Sequence, residues 1–117
     1  MNQEQMKNRT KEFAKQIIKL CRKLPKTMEG RLIGNQVFRS GTSVGSNYRG
    51  VCRARSKPDF IAKLGIVLEE VDETLYWLEL LVETKIMEDK NLLPLMREAD
   101  ELAAIFVAGL IKAKSRE

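Results

Sequence analysis

Apolar residues recur at three- and four-residue steps in four separate stretches of this chain, and no stretch alternates as a strand would. That period is the helical one, so the chain is expected to build amphipathic α-helices and no sheet. The first stretch runs from about Asn2 to Leu24, with Phe13, Ile17, Leu20, Cys21 and Leu24 on one stripe and Lys11, Lys15, Lys19, Arg22 and Lys23 off it. Pro25 ends it, because a proline ring disfavours the α conformation in the residue before it. The second starts at Thr27, a capping residue type. Its seam of Ile33, Val37, Gly41, Val44, Tyr48, Val51 and Arg55 is nearly a heptad repeat, and predicts a helix ending near Arg55. The third start is the clearest. Ser56-Lys57-Pro58-Asp59 combines a capping serine, a first-turn proline and an acid three residues on. From there to about Thr84, Phe60, Leu64, Val67, Leu68, Val71, Leu75, Leu78 and Val82 share a face, with Tyr76 and Trp77 beside it. The fourth is expected to begin near Asp89 to Asn91, with Pro94 in its first turn. It continues through Leu95, Ala99, Leu102, Ala103, Phe106 and Leu110 to about Lys114, leaving a tail, Ser115-Arg116-Glu117, that should fray.

Five of the seven glycines (Gly30, Gly34, Gly41, Gly45, Gly50) fall in the second stretch. A glycine cluster often marks a loop, here Gly41 to Ser46. The alternative is a helix face kept small so that a neighbour can come close. The seam stays in phase through the glycines, which predicts the helix. Ser43 and Asn47 lie beside that seam and are expected to make buried hydrogen bonds that set helix register.

Four such helices with short connections predict an all-α, antiparallel up-down-up-down four-helix bundle occupying residues 1–117 as one domain. A chain of 117 residues buries about two-thirds of its unfolded surface, so its core needs no disulfide or metal. No apolar run approaches the ~20 residues of a membrane span, and the start, Met1 to Met6, lacks the apolar stretch of a signal peptide. A cytoplasmic protein is expected, with Cys21 and Cys52 as buried, reduced thiols.

Charge is divided unevenly. Residues 1–57 hold 14 Lys or Arg against three acids, a net +11, and the remainder carries −6. Either the halves attract one another, within the bundle or between copies, or the basic half faces a polyanion. Arg49 and Arg53 are one turn apart, with Arg39, Arg55 and Lys57 near them. Catalysis finds little support. The sequence has no histidine, so it lacks the commonest general base and any partner to activate Cys21 or Cys52. Gly41-Thr42-Ser43-Val44-Gly45 has neither the Lys-Ser/Thr nor the preceding strand of a phosphate loop. Glu69, Asp72 and Glu73 suggest a metal site only weakly, since bundle di-metal sites pair such acids with histidines. No cofactor is expected.

Two separated segments carry a resemblance. Gln36-Val37-Phe38-Arg39-Ser40-Gly41-Thr42-Ser43-Val44-Gly45-Ser46-Asn47-Tyr48-Arg49-Gly50, followed by Arg53 to Phe60, and the later Glu73-Thr74-Leu75-Tyr76-Trp77-Leu78-Glu79-Leu80-Leu81 resemble the bacterial four-helix-bundle, or 23S rRNA intervening-sequence, proteins. The likeness spans about Phe13 to Ile111. It implies a left-handed bundle that assembles into a homopentameric ring, with no enzymatic activity. Some members are encoded within ribosomal RNA gene insertions. A related protein, the accessory protein of diversity-generating retroelements, is a basic barrel that binds nucleic acid and a reverse transcriptase. Arg39, Ser43, Asn47, Glu73 and Trp77 match motif positions, and Tyr48 falls within the same motif; Ser43, Asn47, Tyr48, Glu73 and Trp77 are expected as structural or interface residues. The chain departs from the family at Arg49, where many members have an acid, and at Glu70, where they have a small residue.

The expectation is therefore a non-enzymatic, self-associating bundle that contacts RNA or DNA phosphates through Arg39, Arg49, Arg53, Arg55 and Lys57. The rival reading is a scaffold ring in which the basic and acidic halves of neighbouring copies meet.

Overall fold

The computed structural model describes residues 1–115 and places four helices in them: α1 (Gln3–Lys23), α2 (Met28–Cys52), α3 (Lys57–Glu83) and α4 (Asp89–Ser115). Arg116 and Glu117, two of the three tail residues expected to fray, lie outside the described residues. The first three starts have a capping cause. Asn2 caps α1 by accepting from the Gln5 N–H while the Gln5 side chain accepts from the Asn2 N–H, a reciprocal pair. Thr27 accepts from the Gly30 N–H, and Ser56 accepts from the Asp59 N–H ahead of Pro58 in the first turn.

The glycine-bearing segment is helix throughout. Its small face lies against α1. A Cβ on Gly41 would stand 2.6 Å from Ile17 Cγ1, and one on Gly45 would stand 3.3 Å from the Thr10 carbonyl. The cost of glycine in a helix interior is offset here by close approach of two backbones. Two boundaries differ from the periodicity. Helix α2 stops at Cys52, with Arg53 as its cap, because the chain must reverse before Ser56 opens α3. Arg55 is therefore a turn residue and exposed, not the end of the seam. Helix α4 starts at Asp89, so Pro94 sits in the second turn rather than the first. Its missing N–H deprives the Lys90 carbonyl of a helical partner, but Lys90 and Pro94 are both exposed and water can serve instead. Helix α3 ends at Glu83 and is closed by Lys85 at φ 60°, with Ile86 N–H donating to Leu81 O and Lys85 N–H to Val82 O. This is the left-handed closure usually given to glycine.

Neighbouring helices run antiparallel. Gly45 meets Thr10 and Gly34 meets Leu24 across α1 and α2; Arg39 meets Glu73 and Gly50 approaches Lys63 across α2 and α3; Gly109 meets Leu64 across α3 and α4. The bundle measures 48 × 21 × 20 Å. One core cluster contains Phe13, Ile17, Val37, Val44, Val67, Val71, Leu78, Leu92, Leu102 and Phe106 among its members. Tyr48 is buried in it and stacks on Phe106 with ring centroids 5.9 Å apart. Burial, and then the neighbouring Cys52, push the Tyr48 hydroxyl up to about 12. The two cysteines are only half-buried, less than expected, because they flank the seams; Cys21 Sγ lies 3.7 Å from the Gly34 carbonyl oxygen.

The polar pair inside the core is not the expected one. Ser43 Oγ donates to the Arg39 carbonyl of its own helix, and Asn47 sits half-buried at the helix edge. The link between helices is instead Thr74 Oγ1 to Ser40 Oγ at 2.9 Å, both residues fully buried. Ser40 also donates to the Gln36 carbonyl, so neither hydroxyl is left unsatisfied. Ser40 lies three residues N-terminal of Ser43 on the side of the seam that faces α3. That side is decided by where α3 packs.

Candidate nucleic-acid interface

The close approach of α1 and α2 leaves a groove of about 190 Å³ over their outer face. Its floor is Ala14 and Gly45, its walls include Thr42 and Ser46, and its rim carries Lys7, Lys11 and Arg49. Lys7 and Lys11 are one helical turn apart on α1, off the apolar stripe. Arg49 faces them from α2. No ion pair among the described residues involves any of the three. Three cations converging on a recess with no acid in its lining create a positive potential that attracts an anion.

Arg39 stands apart from this groove. It reaches across to α3, pairing with Glu73 and, at 3.4 Å, with Glu70. Trp77 Nε1 donates to the same Glu73 carboxylate at 3.0 Å. The Trp77 hydrogen bond, and then Arg39, hold the Glu73 carboxyl below the usual carboxylate range. Glu70 goes the other way, because burial outweighs the guanidinium beside it. Arg39 is thus committed to a helix-to-helix clamp. The two motif residues Glu73 and Trp77 belong to the same clamp, and the three acids that weakly suggested a metal site are split. Glu73 is engaged, while Glu69 and Asp72 are exposed.

The sign of the resulting pH dependence follows. The depressed Glu73 carboxyl contributes stability above the ordinary carboxyl value, and that contribution is lost as pH falls through its lower folded value. The raised Glu70 carboxyl opposes folding when ionised, and Arg39 offsets part of that cost. Arg39→Ala should therefore destabilise the protein at neutral pH and progressively less as pH falls below about 4.5, the ordinary Glu value. Urea unfolding of both proteins at several pH values checks this; a gap that stays constant or widens in acid would remove the clamp from the account.

Arg53, Arg55 and Lys57 cluster at the turn between α2 and α3, and all three are exposed. The Arg55 backbone N–H donates to Asp59 Oδ2 at 3.0 Å. That bond, followed by Lys63, draws the Asp59 carboxyl down. Antiparallel packing brings two further cations to this end. The Gly109–Leu64 contact sets the last turn of α4, with Lys112 and Lys114, beside the start of α3. The acidic half of the sequence therefore returns positive charge to the basic end. Lys7, Lys112 and Lys114 were not singled out in the sequence. The four-residue spacing of Lys7, Lys11 and Lys15 was the available signal on α1, but its partner on α2 depends on helix register.

The only cross-half ion pairs among the described residues are Arg39 with Glu70 and Glu73, and Arg9 with Glu98 and Glu101. Arg9 holds α1 to α4, the most loosely packed neighbouring pair, by a two-pronged bond to Glu98 at 2.7 Å on each arm. Glu98 is the main reason its guanidinium pKa is raised. Internal complementarity thus uses two cations of the first half and leaves the groove untouched.

Residues 2–108 match the family described as 23S rRNA-intervening sequence protein. The chain belongs to this family. A crystal structure of a protein of unknown function from the S23 ribosomal protein family of Bacteroides thetaiotaomicron VPI-5482 is similar over 94% of this chain and 98% of that one, at 34% identity and a TM-score of 0.86. Comparison with curated proteins finds no match. The two residues that the resemblance sets apart fall in different places. Arg49 lines the groove, while Glu70 belongs to the Arg39 clamp. No helix among the described residues is long and apolar enough to cross a membrane.

Proposed function

We propose that this protein is a non-enzymatic nucleic-acid-binding module that grips phosphates with the outer face of α1 and α2. The observation that carries this is the groove of Lys7, Lys11 and Arg49, three cations around one recess with no acid in its lining among the described residues. Arg53, Arg55 and Lys57 extend the positive surface past the end of α2. Arg39 is left out of the contact set because Glu70 and Glu73 hold it. Binding of this kind displaces counterions, so affinity falls steeply with salt.

Fluorescence anisotropy of labelled RNA, titrated with protein at increasing salt, tests it. The logarithm of affinity should fall linearly with the logarithm of salt, with a slope of about −0.7 to −0.9 for each phosphate neutralised. Absence of binding at low salt would end this reading.

A second reading, a homo-oligomeric ring of scaffold type, is favoured by a different observation. Ile66 and Tyr76 on α3, and Val107 and Ile111 on α4, are large apolar side chains exposed on the acidic half, as Met28, Leu32 and Phe38 are on α2. Exposed apolar residues that adjoin one another are covered on association, and Val107 and Ile111 are one helical turn apart on α4. Self-association through α3 and α4 is compatible with an open α1–α2 face, so the readings exclude one another only if the groove itself is the contact between copies.

A further inference from the structure

Four residues of α2 lie at four-, three- and four-residue steps along its outer side: Phe38, Thr42, Gly45 and Arg49. The last three line the groove. Phe38 is one helical turn beyond Thr42, about 6 Å along the axis. It is 46% exposed, unlike Tyr48, whose ring is buried on Phe106. The same face of α2 thus runs from the cationic recess to an exposed aromatic ring about 10 Å along the axis from Gly45 and about 16 Å from Arg49. A strand laid along that face with a phosphate held by Lys7, Lys11 and Arg49 would bring a base further along it over Phe38. A base lies on that ring when it is unstacked from its neighbour, which a single strand allows and the interior of a duplex, held by pairing and stacking on both faces, resists.

The groove hydroxyls add a second constraint. Thr42 Oγ1 donates to the Phe38 carbonyl at 2.7 Å and Ser46 Oγ to the Ser43 carbonyl at 3.2 Å. Their hydrogens are committed to the helix, and their oxygens present lone pairs to the groove. Acceptors suit a ribose 2′-hydroxyl, which can donate, and offer nothing to a deoxyribose.

We infer that the α1–α2 face takes an unpaired RNA strand, with phosphate in the Lys7–Lys11–Arg49 recess, a base stacked on Phe38 and a 2′-hydroxyl on Thr42 or Ser46. This rests on the nucleic-acid reading above and narrows it to one strand and one sugar.

The test is anisotropy at low salt with three probes, labelled oligouridylate, the same strand annealed to oligoadenylate, and oligodeoxyuridylate, and with oligouridylate titrated also by Phe38→Ala and Phe38→Trp. Phe38 is exposed, so neither variant should disturb folding, and circular dichroism verifies that. The single RNA strand should bind several-fold more tightly than the duplex or the DNA strand. Phe38→Ala should weaken it about tenfold, the usual scale of one lost base–aromatic stack, and Phe38→Trp should restore it. Equal affinity for duplex and single strand, or indifference to Phe38→Ala, would overturn the stacking assignment while the phosphate-binding reading stands. Equal affinity for oligodeoxyuridylate would overturn the choice of RNA. Failure of every probe to bind would overturn the broader reading and this one with it.

Discussion

Gly41→Ala and Gly65→Ala should move stability in opposite directions. The two sites share the same local term, since alanine is favoured over glycine inside a helix by about 1 kcal/mol. They differ in what the new methyl meets. At Gly65 there is nothing within 4 Å, so the helix-propensity gain should appear almost undiminished. At Gly41 the methyl would stand 2.6 Å from Ile17 Cγ1, 2.9 Å from Cγ2 and 3.0 Å from Cδ1. Ile17 is fully buried and branched at Cβ, so it has no free rotamer to turn into. Either α1 moves away from α2 or the core takes the strain, and overpacking of this kind costs about 1–3 kcal/mol. Gly41→Val, with two further methyls on the crowded side, should cost more and threaten a fold whose whole stability is of order 5–15 kcal/mol. Urea melts of the three variants, read at constant m-value, decide it. A stabilised Gly41→Ala would mean that α1 and α2 are not packed in the register described.

Reversing the charge of the groove should have the largest functional effect. Lys7→Glu, Lys11→Glu and Arg49→Glu change its rim from three positive charges to three negative ones. Lys11 and Arg49 are exposed and Lys7 is half-buried at the edge, so helix content should survive. If two or three phosphates are neutralised there, affinity for RNA at low salt should fall by orders of magnitude. The salt slope should flatten by about 0.7–0.9 for each phosphate that is no longer neutralised. Arg53→Glu with Arg55→Glu, beyond the groove, should cost less. Sedimentation of the same triple variant separates the two functional readings. Loss of RNA binding with the association state unchanged assigns the groove to nucleic acid. Dissociation of the protein into smaller species would instead identify the groove as the contact between copies.

Much of the architecture was legible because helical periodicity and capping chemistry are local. Phe13, Ile17, Val37, Val44, Leu64, Val71, Leu78, Leu102 and Phe106 all lie on stripes readable from spacing, and all are buried. Thr27 and Ser56 announced their caps by residue type and by what followed them. The in-phase seam through Gly41 and Gly45 correctly outweighed the loop signal of a glycine cluster. The two boundary differences, at Arg55 and Pro94, arise where solvent or chain reversal, not periodicity, decides where a helix begins or ends.

The interface was less legible. Charge counting pointed to the first two helices, and the groove is there. It could not separate Arg39, paired across to α3, from Arg49, free at the rim, although both are exposed arginines on one helix. Nor could it bring Lys7 and Lys11 to Arg49, or Lys112 and Lys114 to the end that carries Lys57. Spacing within a helix sets which residues share its faces. Which face meets which neighbour is set by the register in which glycines and branched side chains interlock, a long-range property with no local signal. The sequence by itself therefore determined four helices, the Thr27 and Ser56 caps, most of the buried stripes and the family. Tertiary packing alone decided that Ser40 rather than Ser43 bridges to Thr74, that Arg39 is a clamp, and that three distant cations surround one recess.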